Sequence, residues 1–137
     1  MTIPDKVTTI GSDAFNGCSS LTNASIGKSI TSIGERAFNN CTSLKTVTVN
    51  SSTIVNATSY TSTSSISGIF GPQVTKYIIG DNVNGIGNYA FYKCTNLTNV
   101  SIGNNVTTIG SDAFSNCSSL GTVTIPNKCT SIGNRAF

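Results

Sequence analysis

The sequence predicts a repeat solenoid, in which short units stack along one axis and form a parallel sheet. The phrase Ile-Gly-x-x-Ala-Phe-x-x-Cys-x-x-Leu occurs at 10–21, 33–44, 86–97 and 109–120. The step from Cys18 to Cys41, and from Cys94 to Cys117, is 23 residues. A fixed period of this length indicates one supersecondary unit per repeat, stacked so that neighbours bury an apolar edge that no unit could bury alone.

The main strand signal is the Leu-x-x-Val-x-Ile pattern that follows each cysteine. It stands at Leu44, Val47 and Val49, and it returns from Leu97 and from Leu120. Its last four residues alternate between apolar and polar, which is typical of a half-buried strand. Strands from successive repeats would lie parallel, roughly 4.8 Å apart, in one continuous sheet.

A second extended segment, such as Val106 to Ile109, ends at a glycine in every full repeat. Such a glycine suits a tight bend where a side chain would clash or where φ must be positive. The Ala-Phe-x-x-Cys that follows is too short for an independent helix and predicts a single helical or 3₁₀ turn. One phenylalanine per repeat predicts a buried aromatic column, formed by Phe15, Phe38, Phe91 and Phe114.

One stretch departs from the period, because the interval from 53 to 82 is 30 residues long. Val74, Tyr77 and Ile79 still fit the Leu, Val and Ile positions, whereas 51–72 is rich in Ser and Thr and contains no charge. We predict a single domain over 1–137, with regular repeats at about 7–52 and 83–137. The irregular repeat at about 53–82 carries an enlarged loop, with Ile69 and Phe70 in place of Ala-Phe. A flexible linker between two domains is the weaker alternative, because the apolar residues of this stretch would not be buried in a linker.

This repeat resembles the BspA-like leucine-rich repeats, a 23-residue class found on bacterial surfaces and in some protozoan parasites. The resemblance covers nearly the whole chain and depends on the four copies of the phrase given above. It implies a right-handed leucine-rich-repeat-like coil, with a parallel β-sheet on the concave face and short extended or 3₁₀ segments on the convex side. It also implies adhesion, host-protein binding or scaffolding, and it does not imply catalysis.

Composition narrows the function classes. Only 9% of the residues are charged, and the net charge of +3 is spread without the basic stripe that nucleic-acid binding needs. No apolar run reaches membrane-spanning length. The chain begins inside a repeat at 1–4 without a signal peptide. We therefore expect either a cytoplasmic protein or a fragment of a longer cell-surface or secreted protein, and we favour the fragment.

The five cysteines predict packing and not chemistry. Cys18, Cys41, Cys94 and Cys117 share one repeat position and should form an inward column, whereas Cys129 replaces a valine. A linear column without any histidine does not converge on a metal ion. Disulfides between adjacent coils are sterically conceivable, but free, buried thiols are the favoured interpretation.

No enzyme and no cofactor are expected. The usual general base is missing because the chain has no histidine, and its carboxylates show no paired spacing. The position before the repeated alanine instead predicts exposed ion pairs between neighbouring coils, Asp13 with Arg36 and Asp112 with Arg135.

Candidate binding residues are the outward-facing side chains of the predicted sheet. They are Asn23, Lys45, Thr46, Thr48, Lys76, Ile78, Asn99, Ser101 and Thr122. This surface is mostly small and hydroxylated, and it lacks the aromatic and arginine anchors of tight interfaces. Strand propensity alone is an equally good explanation of its threonines.

Two functions remain open. The first is a non-catalytic protein-binding or adhesion module that uses the concave sheet or the 51–72 loop. The second is a structural spacer, whose repeats form a stalk that displays another domain. In either case the chain should associate end to end, because its terminal coils expose core residues and unpaired strand edges.

Overall fold

The computed structural model describes all residues from 1 to 137 and forms a parallel β-solenoid. Its repeats are repeat 1 (7–29), repeat 2 (30–52), the irregular repeat (53–82), repeat 4 (83–105), repeat 5 (106–128) and a last partial turn. The elements are β1 (Thr9–Ile10), β2 (Asn23–Ile26), β3 (Ser32–Ile33), β4 (Thr46–Val49), α1 (Ser52–Val55), α2 (Ser67–Phe70), β5 (Lys76–Ile79), β6 (Gly85–Ile86), β7 (Asn99–Ile102), β8 (Thr108–Ile109) and β9 (Ser131–Ile132).

The main sheet contains four parallel strands in the order β2-β4-β5-β7, as the Leu-x-x-Val-x-Ile pattern predicts. Its register places Val47 beside Tyr77 and Tyr77 beside Val100, and all three side chains are buried. The irregular repeat therefore keeps its strand, although its other parts change. Tyr77 occupies a position where the regular repeats carry a small aliphatic residue.

The sheet ends one strand earlier than predicted. Gly121 N–H donates to the carbonyl of Thr98 (3.2 Å), but the backbone of 122–126 makes no hydrogen bond to β7. Pro126 stands where Gly80 donates its N–H to Val49 (3.0 Å), and proline has no such donor. Val123 and Ile125 are half-buried and line an open cleft beside Ile132 and Phe137.

The second set of strands is interrupted at the irregular repeat. It forms two separate sheets, β1-β3 and β6-β8-β9, because α1 replaces the strand between them. Ser51 caps this helix, since its Oγ accepts from Ile54 N–H (3.2 Å). The carbonyl of Val55 accepts from Gly87 N–H (3.1 Å), the role that Ile86 plays in the next repeat. The predicted enlarged loop at 51–72 thus contains two one-turn helices.

The repeated glycines avoid a clash and do not need a positive φ. A Cβ on Gly110 would lie 2.5 Å from Asn88 N and 2.7 Å from the carbonyl carbon of Gly87. Gly11 belongs to the first repeat, and a Cβ there would meet nothing within 4 Å. The coil-to-coil approach therefore requires glycine, which confirms one of the two predicted reasons and corrects the other.

The Ala-Phe-x-x-Cys segment is a series of turns and not a helical or 3₁₀ turn. Two positions per repeat have left-handed backbones, those before the alanine and those before the cysteine. They are Asp13, Arg36, Tyr89, Asp112 and Arg135, and Gly17, Asn40, Lys93 and Asn116, with φ between 52° and 77°. A left-handed residue every few positions ends each turn, so a helix cannot propagate.

The predicted aromatic column is present and longer than expected. Phe38 lies between Phe15 and Phe70, with ring centroids 5.1 Å and 4.9 Å away. Tyr77 continues the column from Phe70 (6.3 Å) to Phe91 (5.1 Å). Phe91, Phe114 and Phe137 then stack with centroids 4.8 Å and 5.2 Å apart. Phe15 is only half-buried, because a neighbouring ring covers it on one side.

The cysteines are free, but only two are buried. Cys41 and Cys94 lie in the core, whereas Cys18 is exposed and Cys117 and Cys129 are half-buried. The prediction of a fully buried column is wrong for Cys18 and Cys117, which belong to the outermost full repeats. Cys41 Sγ donates to the carbonyl of Phe15 (3.2 Å), and burial raises the pKa of this thiol.

Candidate functional site

The main sheet presents two rows of outward-facing side chains, and most predicted binding residues lie on them. Their register is fixed by the parallel ladder, in which each residue faces its equivalent on the next strand. The first row is Asn23, Thr46, Lys76 and Asn99, and the second is Ser25, Thr48, Ile78 and Ser101. Ser25, the two threonines of β4 and Ile78 are half-buried, and the others are exposed.

Lys45 and Thr122 lie outside the strands. Lys45 precedes β4, is exposed, and points its Nζ toward the carbonyl of Gln73 (3.4 Å). Thr122 follows the end of the sheet, yet a shallow cleft of about 470 Å³ brings it together with Lys76, Ile78 and Asn99. None of the three ion pairs in the structure involves Lys45 or Lys76, so both ammonium groups face the solvent without a carboxylate.

A second surface lies on the far edge of repeat 2, where the ladder between coils stops. In regular repeats the coils are joined by backbone hydrogen bonds on both flanks. Between repeats 4 and 5, for example, these bonds run from Thr107 N to Asn84 O (2.9 Å), Gly110 N to Ile86 O (2.8 Å), Tyr89 N to Ser111 O (3.1 Å), Phe91 N to Ala113 O (2.7 Å) and Lys93 N to Ser115 O (3.0 Å).

Repeat 2 has the same five backbone groups without protein partners on the side of the irregular repeat. They are the carbonyls of Thr31 and Ile33 and the N–H groups of Arg36, Phe38 and Asn40. On its other side, repeat 2 is paired normally with repeat 1, as in the bond from Thr31 N to Thr8 O (2.8 Å). The irregular repeat therefore covers the core of repeat 2 and continues its main-sheet ladder, but it does not continue the backbone ladder of the second flank.

Three clefts follow this edge in sequence order, with volumes of about 650, 840 and 260 Å³. Neighbouring clefts share lining residues, namely Ile33 between the first two and Arg36 between the last two. We call this continuous surface the edge groove. One wall is the edge of repeat 2 from 31 to 42, and the other is formed by parts of 52–73 together with Asn84, Tyr92 and Lys93.

The wall of the groove formed by 52–73 is fixed to the core at Tyr60 and projects into solvent beyond that residue. Tyr60 is buried and donates its hydroxyl to the carbonyl of Ile54 (2.8 Å). Beyond it, Thr61 and Ser64 form an antiparallel bridge, and the residues between them are exposed. The Ser and Thr residues at 61–64, which do not fit the repeat pattern, therefore form a short hairpin beside the groove.

Charge in the edge groove is sparse. Glu35, Arg36 and Lys93 line the central cleft. Arg36 is already paired with Asp13, with Nη2 2.8 Å from Oδ2, and this hydrogen bond lowers the pKa of the Asp13 carboxyl. The carboxylate of Glu35 and the ammonium of Lys93 have no ion-pair partner. Lys93 Nζ lies 5.2 Å from the ring centroid of Tyr92.

Both ion pairs predicted from the repeat register are present. Arg135 donates to Asp112 from two nitrogens, Nε to Oδ1 and Nη2 to Oδ2, both at 3.1 Å, whereas Arg36 donates to Asp13 from Nη2 alone. The expectation that both pairs are exposed is wrong for Asp112, whose side chain is only 8% exposed. A third pair, Lys28 with Asp5 at 3.8 Å, was not predicted.

The sequence reasoning missed the edge groove, because its defining groups belong to the backbone and not to side chains. Its only signal was the 30-residue interval, which showed that a repeat was irregular without showing where its ladder breaks. No group of three or more His, Cys, Asp or Glu side chains converges in the structure. None of its helices is long and apolar enough to cross a bilayer.

Comparison with known proteins agrees with this architecture. The family model described as "BspA type Leucine rich repeat region" matches residues 1–78 and 71–137, with six copies in all. A leucine-rich repeat protein from Eubacterium ventriosum is similar in structure, with 29% identity, a TM-score of 0.68 and 98% of this chain covered. A leucine-rich repeat protein from Bacteroides ovatus gives 30% identity, a TM-score of 0.67 and 97% coverage.

This chain spans only 35% of the Eubacterium protein and 32% of the Bacteroides protein, about a third of each. No curated protein matches it.

Proposed function

Because the chain belongs to the BspA-type leucine-rich repeat family, we propose that it is a non-catalytic binding module of a bacterial cell-surface protein. The observation that carries this proposal is the irregular repeat, which opens the edge groove in an otherwise periodic surface. A spacer has no need of a non-repeating surface, whereas selective binding requires one. The cell-surface location is supported by the family, whose repeats occur on bacterial surfaces.

Two surfaces are available for a partner. The main sheet offers a polar floor with two unpaired lysines and the half-buried Ile78, but no aromatic or arginine anchor. The edge groove offers a larger, non-repeating surface with unpaired backbone groups. We therefore assign the groove the larger part in recognition, and the sheet a supporting contact.

Adhesion of displaying cells tests this function. The chain is displayed on a non-adherent bacterium, and attachment to an epithelial monolayer is counted for the wild type and two variants. Gly68→Trp fills the groove, since a Cβ at this exposed position meets nothing within 4 Å. Lys76→Ala with Ile78→Ser alters the sheet surface. We expect attachment by the wild type and a several-fold loss in at least one variant.

A matched control is Gly11→Trp, because Gly11 is also exposed and free of neighbours around its Cβ. This variant should attach like the wild type. Two results would contradict the binding role and favour the spacer. In the first, cells that display the wild type attach no better than cells that display no chain. In the second, neither surface variant reduces attachment.

The spacer remains the second candidate, because regular coil-to-coil hydrogen bonds join repeats 4 and 5 and make a rigid rod segment. We also propose that the isolated chain associates with a second copy. Ile132 and Phe137 are each 53% exposed, and they line an apolar cleft of about 620 Å³ with Phe114, Val123 and Ile125. Light scattering over a concentration series should show a rising mean mass, and a constant monomer mass at high concentration would contradict it.

A further inference from the structure

Resting on the proposed binding function, we propose that the edge groove binds one short peptide segment of a partner protein, whose backbone continues the second-flank ladder of repeat 2. The segment would be extended beside β3 and would bend beside the left-handed Arg36. Peptide binding by strand addition obtains affinity from main-chain hydrogen bonds and selectivity from side-chain pockets. Here the receptor is an edge inside a solenoid and not the outer edge of an open sheet.

The order of the unpaired groups specifies the chemistry of the occupant. Reading along repeat 2, two acceptors at Thr31 and Ile33 are followed by two donors at Arg36 and Asn40, whereas the N–H of Phe38 belongs to a fully buried residue. An occupant must therefore supply two donors and then two acceptors along the path of a coil. In repeat 5 a single stretch, 107–115, supplies the equivalent groups to repeat 4, together with the Ala113 carbonyl that accepts from Phe91 N–H. A polypeptide backbone provides both groups at fixed intervals, whereas the hydroxyls of an oligosaccharide do not.

The core behind the groove is closed, and this limits the side chains of the occupant. Phe70 holds the aromatic position next to Phe38, and Val55 is fully buried at the aliphatic position. Large inward-facing side chains would have no space, so the occupant should carry Gly, Ala or Ser at these positions. The first two clefts, of about 650 and 840 Å³, have the size of ordinary ligand sites.

Glu35 and Lys93 add a charge preference at the centre of the groove. Neither takes part in an ion pair, and both line the central cleft. A segment with one acidic and one basic residue on its outward face would complement them. A strongly acidic or strongly basic segment would meet one like charge, so we expect selection for a nearly neutral peptide.

The test uses a designed peptide as its probe. Its sequence is that of 107–115 with Ile109→Ser and Phe114→Ser, because Val55 and Phe70 already hold the corresponding core positions. Binding to the whole chain is measured by fluorescence anisotropy. A second peptide carries N-methyl groups at the two predicted donors, and it should bind at least about tenfold more weakly because two hydrogen bonds are lost. Gly68→Trp should weaken binding by a similar factor, and Gly11→Trp should not change it.

Amide exchange measured by NMR gives a second readout in the same samples. Without peptide, the amides of Arg36 and Asn40 should exchange faster than those of their hydrogen-bonded equivalents, Tyr89 and Lys93. Saturating peptide should slow exchange at Arg36 and Asn40 by at least about tenfold and leave Tyr89 unchanged. A merely structural role for the groove would not produce this localised protection.

Several outcomes would overturn the proposal: no binding of the designed peptide, binding without slowed exchange at these amides, or strong protection before any peptide is added. Protection caused by a neutral oligosaccharide and not by the peptide would assign the groove to glycans. The adhesion assay separates this inference from the general function. If the peptide does not bind but the sheet variant still abolishes attachment, only the proposed groove ligand is wrong. If the peptide binds but the displaying cells do not attach, only the adhesion function is wrong.

Discussion

The rings of Phe91 and Phe114 lie parallel, with centroids 4.8 Å apart and planes inclined by 6°. Tyr77 packs against the other side of Phe91 at 5.1 Å, so this ring links the irregular repeat to the regular coils. Phe91→Ala should therefore lower the free energy of unfolding by about 3–5 kcal/mol, as for other large core truncations. Thr98→Ala, at an exposed position of the same repeat, should change it by about 0.5 kcal/mol or less. Denaturant unfolding checks both, and similar losses would show that the core faces are wrongly assigned.

Replacing the repeated glycine should destabilise the fold wherever a preceding coil packs against it. In Gly110→Ala the new methyl group would overlap the backbone of Gly87 and Asn88, and we expect a loss of about 1–3 kcal/mol in unfolding free energy. Gly11→Ala is the matched control, because its Cβ would meet nothing within 4 Å. Thermal or urea unfolding should separate the two variants clearly. Equal stability would contradict the steric role of this glycine.

Thiol reactivity should follow burial and not repeat position. Cys18 is exposed and should react with a thiol reagent in the native protein within the mixing time. Cys41 and Cys94 are buried and should react only after unfolding, while Cys117 and Cys129 should be intermediate. Peptide mass mapping after timed labelling distinguishes the five sites. No free thiols in denaturant would reveal disulfides and refute the packing interpretation.

The pair of Asp13 and Arg36 predicts a specific response to acid. The hydrogen bond from Arg36 lowers the pKa of Asp13 in the folded state. The pair therefore contributes stability above the unfolded pKa, and this contribution is lost as the pH falls through the lower folded pKa. Arg36→Gln should raise the pKa of Asp13 in an NMR titration of its carboxyl carbon. Arg135→Gln lies in a distant repeat and should leave it unchanged.

Much of the fold was predictable because the stacked positions repeat in the sequence. The register of Val47, Tyr77 and Val100 in the sheet, and the column from Phe15 to Phe114, follow directly from aligned apolar positions. The left-handed backbone at Asp13 and Arg36 could not be predicted from residue type, since neither position carries glycine.

The candidate site was only half predictable for a related reason. Outward-facing residues such as Lys76 and Ile78 follow from the two-residue period of a strand, and the structure brings them together. Thr122 lies near them but outside any strand, because 122–126 makes no backbone hydrogen bond to β7. The edge groove depends on α1 and α2, whose short Ser-rich sequences contain no helical period to detect.

The broken ladder at repeat 2 also has a consequence for how the molecule unfolds. A solenoid transmits folding cooperativity through nearest-neighbour contacts, and its weakest contact limits the size of the cooperative unit. Between repeat 2 and the irregular repeat the coils remain joined by the main sheet and the aromatic column, but they lack the hydrogen bonds of the second flank. We therefore expect residues 1–52 and 53–137 to unfold as two partly independent units. A binding partner that contacts both sides of the groove would couple the two units. Its binding could then be measured as a sharper, more cooperative unfolding transition.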